Sequence, residues 1–315
     1  VSRVSSSSAM PASAVPSADP SALLAVKDLE LRTKVVMEGV RSGLHRSPFT
    51  GFSAEFTEYR QYTPGDDLRY LDWRAYARSD RYYLKKYEDE NNLRALVILD
   101  VSRSMSFGSG EHPKIEYART LAATLARFLH EQRDVVGAAL FDERMERVVT
   151  PRWRPGHLQH IYATLTREPS GRDTALGPAL TEVARLCRKR TLILLISDFL
   201  PPVDTWAREL GELTAARHDV RALQVLDPAE LNLDFGRAAV WQDLEDGASH
   251  YIDPAQAREG YQSRINAHLE EVKATFQRHG ALHHLTTTDQ PMADSLVQFL
   301  QARRGQPAVR EEASA

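Results

Sequence analysis

Four short apolar runs in this chain each end in an aspartate. LRALVILD ends at Asp100, VVGAALFD at Asp142, TLILLISD at Asp198 and VRALQVLD at Asp227. Runs of this length and apolar density read as strands buried on both faces of a sheet. In an open parallel sheet, ligands bind outside the carboxyl ends of the strands. Parallel alignment would therefore gather four carboxylates on one rim, where each must be paired, protonated or bound to a cation. A single strand-end aspartate is ordinarily a turn or helix cap; four of them together raise the case for chemistry. After Asp100 the chain reads Asp-Val-Ser-Arg-Ser, so alternate side chains at Asp100, Ser102 and Ser104 can converge from one loop. A carboxylate and two hydroxyls form an all-oxygen set. That set suits a hard cation such as Mg²⁺, with Mn²⁺ or Ca²⁺ as alternatives, and poorly suits zinc.

Other chemistries lack their residues. Phe107 to Lys114 carries glycines and a lysine, but no Gly-Lys-Ser/Thr at Walker A spacing, which argues against ATP hydrolysis. Ser102 stands where a phosphoaspartyl enzyme would carry a second acid after Asp100. No His-Glu-x-x-His occurs, and His283 and His284 alternate across an expected strand, so they cannot share a site. Ser197-Asp198 and the scattered histidines form no recognisable nucleophile–base pair, and no catalytic residue is assigned.

Composition sets wider bounds. Among 315 residues, 40 Lys+Arg stand against 43 Asp+Glu, a net charge of −3, which disfavours a globally cationic nucleic-acid or membrane binder. Cys187 is the only cysteine, so an intrachain disulfide and a cysteine zinc site are impossible, and a reducing compartment is expected. No secretory h-region is visible, and no apolar run approaches the roughly 18–20 residues that span a bilayer. The expectation is a cytoplasmic protein without a membrane span.

These residues need a scaffold. Residues 1–21 and 304–315 are polar and aperiodic, and read as disordered tails. Residues 22–92 read as a helix over 22–42 followed by an aromatic and basic accessory element, with a strand at 81–87. From residue 93 to 303, strand and helix patterns alternate. Helices are predicted around 115–129, over 174–188, 204–217 and 255–278, and after Pro291. MERVVT reads as a strand beside VVGAALF, and ALHHLTT as the last strand. Such alternation predicts an α/β fold, a mainly parallel sheet with helices on both faces.

The Asp-x-Ser-x-Ser loop resembles the metal-ion-dependent adhesion site of von Willebrand factor A domains, which are Rossmann-like. The remaining elements of that site follow in order: Gly171-Arg172-Asp173-Thr174 before a helix, and Asp198 ending the fourth core strand. The family usually has Gly-Gly where this chain has Arg172-Asp173. The resemblance implies that Asp100, Ser102, Ser104, Thr174 and Asp198 ligate Mg²⁺ (or Mn²⁺ or Ca²⁺). It also implies that an acidic side chain of a partner protein completes the shell.

A second resemblance lies upstream. The block from Tyr59 through Pro64-Gly65-Asp66-Asp67 to Asp72-Trp73 resembles the signature of the bacterial "domain of unknown function 58" family. His45-Arg46-Ser47, Gly51 to Phe56, Tyr87 to Glu90 and Leu223 to Pro228 extend the likeness from about residue 41 to 288. It implies a von Willebrand A-like domain with a preceding element, partnered by a MoxR-type AAA+ ATPase in assembling or activating a protein complex. Within the block, Arg69, Arg74 and Arg78 alternate with Asp66, Asp67, Asp72 and Asp80, so charges can pair locally. Arg69, Asp72, Trp73 and Arg74 read as a subdomain clamp or as a partner contact. The interleaved acids disfavour nucleic acid. The expected function is a metal-dependent protein–protein interaction module. The rivals are a divalent-metal-dependent hydrolase of phosphate esters and a purely structural subunit.

Overall fold

The computed structural model describes residues 18–45, 59–61, 83–85, 93–167, 175–233, 239–242, 249–252 and 254–302. The Asp19 carboxylate accepts the Ala22 amide at 3.2 Å and starts helix α1 (Pro20–Leu24), with Pro20 at a position where its missing N–H costs nothing. A helix thus begins inside the stretch read as a tail to residue 21, because Pro20, Leu23 and Leu24 are buried. The single helix expected over 22–42 is also divided. The Asp28 carboxylate accepts the amides of Glu30 and Leu31 (2.8 and 3.2 Å) and starts α2 (Leu29–His45). On α2 the residues Leu29, Val36, Met37 and Val40 are buried, whereas Leu31 and Val35 face solvent.

Strands β1 (Tyr59–Gln61) and β2 (Tyr83–Lys85) form an antiparallel pair in which Tyr59 lies opposite Lys85. The strand at 81–87 is present in this shorter form, and its partner was not anticipated. The rest of the accessory block, including Arg69, Asp72, Trp73 and Arg74, lies outside the described residues, as do 1–17 and 304–315 of the expected tails.

The main unit then runs β3 (Arg94–Asp100), α3 (Lys114–Glu131), β4 (Val135–Phe141), β5 (Met145–Arg152), α4 (His157–Leu165), α5 (Leu176–Leu186), β6 (Leu192–Ser197), α6 (Ala207–Ala215), β7 (Asp219–Leu226), α7 (Pro228–Asn232), β8 (Ala239–Gln242), β9 (Ser249–Ile252), α8 (Pro254–Arg278), β10 (Leu282–Thr287) and α9 (Met292–Gln301). Six strands form one sheet in the order β10-β7-β6-β3-β4-β5, parallel except where β5 runs against β4. Strands β8 and β9 pair separately as an antiparallel ribbon. The region read as one helix over 204–217 is a 3₁₀ turn at Val203–Thr205 followed by α6. Pro291 caps α9 from outside the helix.

The period of two along each strand divides the core into two layers. On β3, Ala95, Val97 and Leu99 face the layer of α2, α3, α4 and α9, while Leu96 and Ile98 face that of α5, α6 and α8. Each fully buried Leu, Ile or Val contributes about 1.5–3 kcal/mol of transfer free energy, so both faces hold β3 at the centre. On β4, Gly137 is required by close approach. A Cβ there would lie 2.4 Å from the Val149 carbonyl oxygen, where β5 bulges across it. Among the described residues, no helix is long and apolar enough to cross a membrane.

Candidate metal centre at the carboxyl rim

Strands β4, β3, β6 and β7 are consecutive parallel neighbours, so Asp142, Asp100, Asp198 and Asp227 do share one rim. Their surroundings differ. The Asp227 side chain accepts the Ala229 amide (2.9 Å) and the amide and hydroxyl of Ser109 (2.9 and 2.5 Å), as the N-cap of α7. The Asp142 side chain accepts the Arg144 amide (3.2 Å) in the turn before β5, and its backbone oxygen accepts the Ala175 amide at 3.0 Å. These two act as caps.

Asp100 and Asp198 end adjacent central strands and are completely buried. Asp100 accepts the Ser102 amide at Oδ1 (2.9 Å) and the Ser197 hydroxyl at Oδ2 (2.5 Å). The Ser102 and Ser104 hydroxyls lie 3.1 Å apart, and Ser104 Oγ donates to Asp198 Oδ2 at 2.7 Å. A short run of hydrogen bonds, by way of the Ser102 amide and then two hydroxyls, therefore links β3 to the end of β6 through the intervening loop. A 3₁₀ turn at Arg103–Ser106 shapes that loop, anchored by the buried Met105. Burial, and next the charge of Asp198, push the Asp100 carboxyl up to about 7. Low dielectric and a like charge both disfavour its ionised form.

The residue after Asp198 holds it in place. Phe199 has φ +51°, a left-handed conformation that costs a non-glycine residue about 1–3 kcal/mol. Its ring packs edge-on against Phe276 (5.4 Å) and beside Trp206 (6.0 Å), its amide donates to Ser197 Oγ (3.1 Å), and its carbonyl bonds His268 Nε2 (2.8 Å). The Asp198 carbonyl accepts Gln224 Nε2 at 2.6 Å, and Gln224 Oε1 lies 2.9 Å from His283 Nε2. His283 and His284 point to opposite layers, stacked on Phe276 and beside Phe299 respectively, as strand alternation requires.

Sequence reasoning missed two charged members of the site. Lys114 Nζ donates to Asp198 Oδ2 at 3.0 Å and to Glu230 Oε1 at 2.6 Å, with no exposed side-chain surface. Burial alone would lower its pKa, but the Asp198 and Glu230 charges outweigh it and hold the ammonium protonated above its usual range. Burial pushes Glu230 up, against the pull of Lys114. A signal existed for each. Lys114 opens a helix, where the dipole disfavours a cation unless carboxylates face it. Asp227-Pro-Ala-Glu230 is a capping-box pattern, and Glu230 Oε2 does accept the Asp227 amide at 2.8 Å.

Of the five residues proposed as ligands, Asp100, Ser102, Ser104 and Asp198 are thus brought together. Thr174 lies outside the described residues. Among the described residues, no three His, Cys, Asp or Glu side chains cluster as a metal site; the rim brings together two carboxylates and two hydroxyls. The donors are all oxygen, the chemistry a hard cation takes.

Six mostly parallel strands with helices on both faces form the α/β architecture that the resemblance to von Willebrand factor A domains implies. The chain belongs to the family described as "Protein of unknown function DUF58", whose model matches residues 58–271. It is similar to uncharacterized protein Rv1480 of Mycobacterium tuberculosis, 32% identical over 291 residues that cover 91% of this chain and 91% of that protein. Uncharacterized protein MAV169 of Mycobacterium avium is 36% identical over 148 residues, 47% of this chain and 86% of that protein. Similar solved structures include an aerotolerance-related membrane protein from Bacteroides fragilis (16% identity, 66% of this chain and 98% of that one, TM-score 0.44). Another is the SpRpn10 VWA domain (11% identity, 69% of this chain and 98% of that one, TM-score 0.41).

Proposed function

We propose that the rim is a metal-dependent protein-interaction site, in which Asp100, Ser102, Ser104 and Asp198, with Thr174, hold Mg²⁺ or a similar hard divalent ion. The observation that carries this reading is the run from one fully buried carboxylate to another at adjacent strand ends, through the Ser102 amide and the hydroxyls of Ser102 and Ser104. Such a pair is costly unless a proton or a cation neutralises it. When bound, the ion would supply an open coordination position that takes a carboxylate from a partner. The chain's own residues do the rest. Ser197 and the Ser102 amide orient Asp100, and the Phe199 turn and Gln224 orient Asp198.

The partner implied by the family resemblance is a MoxR-type AAA+ ATPase, and the process is assembly or activation of a protein complex. The single cysteine fits action in the cytoplasm. The phosphate-ester hydrolase alternative draws no support from the described rim.

The test is co-purification of the full chain with a MoxR-type ATPase from the same genome, in Mg²⁺ and in EDTA. Capture is expected in Mg²⁺ only, and Asp100→Ala is expected to abolish it while far-ultraviolet circular dichroism stays unchanged. Equal capture in EDTA would overturn the metal bridge.

A further inference from the structure

Lys114 meets the Asp198 oxygen that faces the donor loop. Asp198 Oδ1 accepts the Leu200 amide at 3.3 Å, whereas Oδ2 accepts both Ser104 Oγ and Lys114 Nζ. The ammonium therefore sits on an oxygen that the proposed ion would also use. Its position is fixed by the fold. The Lys114 amide donates to the Phe107 carbonyl at 2.8 Å, closing the loop between Ser104 and α3, and the side chain is wholly enclosed.

Glu230 offers the same ammonium a second carboxylate. The bond is shorter, at 2.6 Å, and Glu230 is itself held by two further contacts. Its Oε2 accepts the Asp227 amide, and its carbonyl accepts the Tyr261 hydroxyl from α8 at 2.5 Å. One cation thus lies between two carboxylates carried by different elements. The bond to Glu230 can hold the ammonium in place while Asp198 exchanges partners.

We propose that Lys114 is a built-in competitor of the divalent ion: it neutralises Asp198 in the ion-free rim and sets the affinity of that rim low. The inference rests on the reading of the rim as a metal site. It adds a role for a side chain that supplies no ligand. A positive charge against a donor oxygen opposes a dication by direct repulsion and by occupying a lone pair. It also spares the ion-free fold an unpaired buried carboxylate. Glu230 tunes the balance. With its charge removed, the ammonium has Asp198 as its sole anionic partner in this pair, and the ion should bind more weakly still.

The experiment is calorimetric titration of the full chain with Mn²⁺ alone. Lys114→Met is expected to bind Mn²⁺ at least about tenfold tighter than the unmodified chain, and Glu230→Gln several-fold weaker. Because Lys114→Met leaves two carboxylates unpaired, the double variant Lys114→Met/Glu230→Gln, which removes one charge of each sign, guards against failure to fold. It too is expected to bind more tightly than the unmodified chain. Its melting temperature should rise further than that of the unmodified chain at equal Mn²⁺ concentration. Equal or weaker Mn²⁺ affinity in both lysine variants would overturn this inference and leave the metal reading standing. No Mn²⁺ binding by any of these proteins would overturn the metal reading, and this inference with it.

Discussion

The centre and the flanks of one rim hold the same residue type in opposite states. At the flanks, Asp142 and Asp227 are satisfied by amides and a hydroxyl from the turns that follow or abut them. At the centre, Asp100 and Asp198 end neighbouring strands and are linked through the Ser102 amide and the hydroxyls of Ser102 and Ser104. Asp198 alone meets a buried ammonium. Strand-end aspartates are therefore equivalent in sequence but not in chemistry. Where the chain leaves a strand and turns at once into local structure, its amides quench the carboxylate. Where two strands deliver carboxylates side by side, amides are too few and a proton or a cation must neutralise the pair.

The largest expected effect separates the two regions by stability. Asp198→Ala removes one carboxylate from a buried ammonium and strips acceptors from Ser104 and the Leu200 amide. A loss of about 3–5 kcal/mol is expected from urea unfolding, the usual cost of breaking a buried pair from one side. A loss below about 1 kcal/mol would mean that the centre behaves like an ordinary surface pair.

Acid should next weaken the support of the centre. Burial above all holds the His283 imidazole down to about 3 and that of His284 to about 4. An unfolded imidazole titrates near 6.5, so below that pH the unfolded chain takes up protons that the folded chain refuses. The histidine share of stability is thus intact above about pH 6.5 and falls as the pH drops towards 4, opposed by the raised carboxyls of Asp100 (about 7) and Asp134 (about 6), which protonate more readily in the folded chain. By pH 5 each histidine costs about 2 kcal/mol. His283 bonds Gln224, which in turn holds the Asp198 carbonyl, so the loss reaches the central carboxylate. Relative to the unmodified chain, His284→Phe should therefore gain about 2 kcal/mol in going from pH 7 to pH 5, read from urea unfolding at the two pH values.

Much of this contrast was legible in the chain, and the limits have physical causes. Apolar runs ending in Asp100, Asp142, Asp198 and Asp227 reveal strands and rim, because burial on both faces leaves no other pattern. The convergence of Asp100, Ser102 and Ser104 is local and could be read directly. In sequence, Lys114 figures only as the lysine of a glycine-bearing stretch that lacks Walker A spacing. Its partners, Asp198 and Glu230, lie 84 and 116 residues away, and no local pattern encodes such a pairing. Helix α2 was read too long because Leu24, Val26 and Leu29 continue its apolar spacing, while the Asp28 cap that divides it is a hydrogen bond rather than a periodicity. Helix α4 and the β8–β9 ribbon are short, and went unread.

The smallest effects should come from the flanks, and their independence of the ion is the sharper result. Asp227→Ala removes the N-cap of α7 and the tie to Ser109, for which about 1–2 kcal/mol is expected. Asp142→Ala loses only a 3.2 Å bond to the Arg144 amide and keeps the backbone bond to Ala175, so about 0.5–1 kcal/mol is expected. Neither carboxylate is bonded to Ser104 or Lys114 as Asp198 is, and both variants should titrate with Mn²⁺ as the unmodified chain does. A large fall in Mn²⁺ affinity in Asp142→Ala would erase the division between centre and flank. The rim would then act as one shared acidic field. Repeating the titration at high salt decides the point. Long-range attraction would be screened away, whereas direct ligation at Asp100 and Asp198 would persist.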